Sequence, residues 1–169
     1  MVAPAALRAL CAGALAIDVN TALLAASDTV VLRTAHGGLL RFGQLHGAPV
    51  ADAVGAGPWW RGVLVPATGG PGFATAFHIG VGLLMALGYA ALPVRRAGWS
   101  PLRAGLACAA LVWLLNAAVV LPAIGEGFAG SRSLGVPGMA AFAAIHTVFF
   151  VLLALLYDQL TGHTAPDTD

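Results

Sequence analysis

Long stretches of this chain are apolar at nearly every position, and its polar residues gather in the segments between them. A helix needs about 20 mostly apolar residues to cross the hydrocarbon core of a bilayer. Residues 71–94, 101–121 and 137–160 each meet that length, and none has Arg or Lys in its middle. A further stretch at 5–26 is interrupted by Arg8, Asp18 and Asn20. Its unbroken apolar run covers only 9–17, with Arg8 as its single basic residue, which suits a cleaved secretion signal poorly. Arg8 and Leu10 also stand where a lipoprotein signal before Cys11 needs other residues. The pattern therefore predicts a retained first span and an all-α bundle of four transmembrane helices, a single domain over 1–160.

The connections differ in kind. Residues 27–70 form a long link rich in Gly, Pro and Ala, with a short amphipathic stretch at 38–45 and the adjacent Trp59 and Trp60. Paired Trp residues between spans fit the interfacial aromatic belt. The link between the third and fourth spans, 125–136, is short and Gly-rich, and 161–169 reads as a polar, disordered tail.

The two halves of the chain resemble each other. Within the second span His78 and Tyr89 stand eleven residues apart, as do His146 and Tyr157 within the fourth. Between them Leu84, Ala86 and Leu87 match Leu152, Ala154 and Leu155, and both spans begin Pro-Gly, at Pro71 and Pro137. The first and third spans align more loosely, with Asn20 opposite Asn116. Two tandem helical hairpins of the same topology follow, related by an axis along the membrane normal. Eleven residues of helix rise roughly 16 Å, so each His is expected towards one leaflet and each Tyr near the other.

Composition agrees with the pattern and narrows the function classes. Hydrophobic residues make up 59% of the 169 and charged residues 9%, with a mean hydropathy of +0.88. Soluble domains carry about 25% charged residues, so this chain cannot coat a globule in water. All eight basic residues are Arg, the net charge is +1, and no basic run is present, which argues against nucleic-acid binding. Arg95, Arg96 and Arg103 crowd the short link between the second and third spans, and Arg8 precedes the first. Arg33, Arg41, Arg61 and Arg132 lie on the other side, three of them dispersed in the long link, where charges count for less. Both termini are accordingly expected in the cytoplasm, in a bacterial inner membrane. Cys11 and Cys108 sit in apolar runs as packing residues.

Candidate chemistry rests on a few polar residues within or beside the spans. A charge at the centre of a transmembrane helix costs about 2.5–3.5 kcal/mol, so Asp18 is expected to face the bundle interior or to be protonated. Asn20, two residues on, points to the opposite side of the same helix. Asn20 and Asn116 are expected to bond to each other across a helix interface, worth ~0.6–2 kcal/mol. His78 and His146, at similar depth on related helices, have the donor atoms of two axial ligands to a b-type haem or of a metal pair. The plain alternative has each imidazole donating to a backbone carbonyl or to Glu126. No hydrolase, zinc-protease or phosphate-loop motif occurs.

His78 opening the second span, Trp113 with the run Val119-Val120-Leu121-Pro122 closing the third, and His146 in the fourth together resemble a group of bacterial four-helix membrane proteins described only as domains of unknown function. The resemblance implies the fold and the location, and no activity. The expected role is therefore that of a non-enzymatic membrane protein without a cofactor, whose partners are the bilayer and other membrane subunits or copies of itself, or which carries a small ligand. Two alternatives are a redox protein holding haem or metal between His78 and His146, and a membrane-embedded enzyme using Glu126 and His146.

Overall fold

The computed structural model describes residues 4–29, 71–92 and 98–162. Among these residues are four long helices: α1 (Ala5–Thr29), α2 (Pro71–Ala91), α3 (Pro101–Leu115) and α4 (Val136–Thr161). The helix α3 continues through a π-helical turn, Asn116–Val120, into a last α turn, Leu121–Ala123. Each of the four is long and apolar enough to cross a membrane. The long link with Trp59 and Trp60, the Arg95–Arg96 pair and the tail beyond Gly162 lie outside the described residues.

The helix boundaries have local causes. Ser100 caps α3, its hydroxyl accepting from the Arg103 backbone N–H at 3.4 Å, and Pro101 occupies the first turn, where no N–H is needed. Pro137 plays the same part in α4. Near the other end of α3, Pro122 has no N–H to give the carbonyl four residues back, and its ring crowds that carbonyl. The π turn immediately before it widens the helix, with the Leu121 N–H reaching back to Asn116 O.

The helices pack in the order α2, α1, α4, α3: α1 lies against both α2 and α4, and α4 also lies against α3. Arg8 and Cys11 of α1 share a pocket with Gln159 and Thr161 of α4, whereas Asn20 meets Ile145, so these two helices run antiparallel. Contacts of Gly13 with Ala86 and of Gly82 with Ile17 make α1 and α2 antiparallel as well. The helices α2 and α4 therefore run in the same direction. They meet through Tyr89 and Tyr157, both buried, whose rings pack edge to face with centroids 5.9 Å apart.

Lipid tails are as apolar as Leu, so these helices gain by close packing rather than by hiding from water. The core shows this in its small residues: Ala9, Ala12, Ala16, Ala86, Ala104 and Ala154 are all buried. Large side chains such as Leu84, Leu111, Leu114 and Val119 instead face outward.

Two close approaches carry the hairpins, and they are equivalent. A Cβ on Gly13 would lie 2.5 Å from Ala86 Cβ, next nearest to Leu83 and the Gly82 carbonyl. A Cβ on Gly105 would meet the Phe150 carbonyl at 2.8 Å, Val151 Cα at 3.0 Å and Ala154 Cβ at 3.1 Å. Residues 82, 83 and 86 are the ones that the His-to-Tyr alignment pairs with 150, 151 and 154. The same two hairpins thus recur in the packing. They set the first and third spans in a different register from the one that aligns the asparagines: Gly13 answers Gly105, so Asn20 answers Val112 and not Asn116. The difference is four residues, or about one turn of helix.

Candidate intramembrane binding site

The glycine crossings serve as depth markers. His78 lies eight residues before Ala86, and His146 lies eight before Ala154, so both imidazoles stand roughly 12 Å from their crossings. Asn20 is seven residues beyond Gly13 on the antiparallel α1, roughly 10 Å along the same direction. One layer of the bundle therefore holds Asn20, His78 and His146, from three helices.

The hydrogen bonds in this layer leave a particular set of atoms open. Asn20, 1% exposed, donates from Nδ2 to the Ile145 carbonyl at 3.1 Å, joining α1 to α4. Its Oδ1 is buried with no partner, and so is Nε2 of His78. Nδ1 of His146 lies 2.8 Å from the Phe142 carbonyl. A carbonyl only accepts, so Nδ1 carries a proton and Nε2 of the neutral ring bears the lone pair. The Phe142 ring lies against that imidazole, centroids 4.0 Å apart at 40°. Thr21 and Thr147 spend their hydroxyls on the carbonyls one turn back in their own helices. What remains is acceptor-rich: an amide oxygen and an imidazole lone pair, beside a second imidazole whose tautomer can adapt.

The other candidates fall elsewhere. Asp18 is exposed on the outer side of α1, so the expectation that it faces the bundle interior does not hold. Helical geometry explains the placement: Asn20 occupies the interior face, and a residue two positions away is turned by about 200°. Asn116 opens the π turn of α3, its Oδ1 buried without a partner. It does not bond to Asn20, whose amide goes to α4 instead. Glu126 is buried in the connection above α4, its N–H donating to Leu121 O and its carbonyl accepting from Arg132 N–H. Leu121 is sixteen residues past Gly105, roughly 24 Å from the crossing and about 12 Å beyond the histidine layer. The geometry does not bring Glu126 and His146 together.

Sequence reading placed His78 and His146 at similar depth but missed that Asn20 shares their layer. The available signal was the pair Gly13 and Gly105, which fixes the register between helices. Among the described residues no group of three from His, Cys, Asp and Glu could hold a metal ion. Cys11 and Cys108 are free thiols, the first exposed and the second buried. No family model, no curated protein and no solved structure matches this chain.

Proposed function

We propose that this is a non-enzymatic, polytopic protein of a bacterial inner membrane that binds and carries a small ligand in the layer formed by Asn20, His78 and His146. The observation that supports the reading is the pair of buried polar atoms without partners, Asn20 Oδ1 and His78 Nε2, beside the lone pair of His146. A buried polar atom left unsatisfied costs about 1–3 kcal/mol, so a partner for these atoms stabilises the bundle. Because Asn20 Oδ1 and the lone pair of His146 accept hydrogen bonds, the ligand is one that donates to them or carries positive charge.

Native mass spectrometry of the full chain, purified from its own membranes in mild detergent, tests this. A non-lipid mass should accompany the wild type and fall at least tenfold in Asn20→Leu and His78→Leu. Identical masses on wild type and variants would sink the reading.

A b-type haem or metal between His78 and His146 is the second reading. It is favoured by the matching depth of the imidazoles and by the His146 tautomer, since a ring that donates from Nδ1 presents Nε2 as a ligand. The absorbance spectrum separates the two: a Soret band lost in His146→Leu selects haem, and a colourless, metal-free protein excludes both haem and metal.

The topology proposed with either reading has both termini in the cytoplasm, the side favoured by the Arg95, Arg96 and Arg103 cluster. A C-terminal alkaline phosphatase fusion should be inactive and a fluorescent-protein fusion bright; the reverse pattern would invert the orientation.

A further inference from the structure

We propose that the outer face of α1 centred on Asp18 docks a transmembrane helix of another protein that carries an Arg or Lys at mid-depth. Asp18 is the fourteenth of 25 residues in α1, close to the middle of the span, and it is exposed. An ionised carboxylate there, facing hydrocarbon, needs a counter-ion, Asp18 pairs with none of the described residues, and an ionisable group within a span marks a functional site by default.

The residues around it are arranged for close approach. Ala14 and Ala22 stand four positions to either side of Asp18, and Cys11 and Ala25 seven positions to either side; all four are exposed. At 100° per residue these five fall within about 40° of one line along the helix. The spacing repeats every eleven residues, which favours a right-handed crossing, the hand of small-residue contacts in membranes. A partner helix crossing at Asp18 would meet small side chains above and below and the carboxylate at the centre.

Charge complementarity decides the occupant. A second copy of this chain has no Lys, and none of its eight Arg lies in the middle of a span. Two copies meeting through this face would set carboxylate against carboxylate. The counter-charge must therefore come from a different chain. Asn20 lies on the other side of α1, so this surface is independent of the interior layer and stands or falls without it.

The test uses designed peptides with the full chain in phosphatidylcholine vesicles. One peptide is a Leu/Ala transmembrane helix with a single central Arg, a second has Leu there, and a third has the Arg shifted seven residues towards one end. Energy transfer from a fluorophore at the C-terminus of the protein should report association at least tenfold stronger for the central-Arg peptide than for the other two. The preference should vanish in Asp18→Leu and in Ala14→Ile/Ala22→Ile, which keeps the carboxylate but bars close approach. Equal affinity for the three peptides, or a preference that survives either variant, would overturn the proposal. So would a wild-type dimer in detergent that Asp18→Leu dissolves, since that result assigns the face to a second copy.

Discussion

Gly13→Ala is expected to destabilise the bundle and Ala86→Gly to restore it, whereas Gly105→Ala should resist rescue by Ala154→Gly. At Gly13 the only severe obstacle to a new methyl is Ala86 Cβ; the next atoms, Leu83 Cδ2 and the Gly82 carbonyl, stand at 3.7 and 3.9 Å, ordinary contact. Removing the Ala86 methyl therefore exchanges one Cβ for another across the same gap. At Gly105 the nearest atoms belong to the α4 backbone, the Phe150 carbonyl and Val151 Cα, and these stay in place when Ala154 is trimmed. Overpacking costs about 1–3 kcal/mol, and the Gly105 change belongs at the upper end because backbone cannot swing aside. Thermal unfolding in detergent, read across the two double-mutant cycles, checks this. Equal rescue at both crossings would mean that the α3–α4 pair can slide apart where the geometry shows it locked.

The second large effect is expected at the tyrosine pair. Tyr157 is 1% exposed, among the largest side chains that the bundle fully buries, and Tyr89 is 3% exposed against it. Tyr157→Ala should cost about 3 kcal/mol, the low end for truncating a buried aromatic, because the helices remain in lipid when they separate. Tyr89→Ala should also destabilise. The two changes together should fall short of their sum by about 0.5–1.5 kcal/mol, the worth of an edge-to-face contact. Additive losses would show that the rings touch without supporting each other. This pair is a direct contact between α2 and α4, so the loss should appear as separation of those helices while both crossings persist.

Much of the architecture was legible along the chain because membranes impose it: spans of set length, and Pro at their starts. The His-to-Tyr spacing also reported something real, since residues paired by that alignment make equivalent contacts with Gly13 and Gly105. The alignment of Asn20 with Asn116 misled. Two amides attract attention in an apolar sequence, yet helix register is fixed by where backbones come closest, and glycines among 22 of their kind do not announce which ones do so. The side on which Asp18 lies was illegible for a related reason. In a span that is apolar all round, periodicity cannot separate the lipid face from the packed face. Only the partners of Asn20 and Gly13 reveal how α1 is rotated.

The central place of α4 bears on how the protein is made. During synthesis α1 and α2 can pair as soon as both have entered the bilayer, but α3 finds its partner only when α4 follows. The last helix also joins the two hairpins, through Ile145 and Asn20, and holds α3 in its own hairpin through Phe150 and Gly105. Until α4 leaves the ribosome, the nascent chain is a lone hairpin and a solitary helix. A stop codon before residue 136 would leave that intermediate as the final product, a species that a membrane quality-control protease would meet with its interior faces bare.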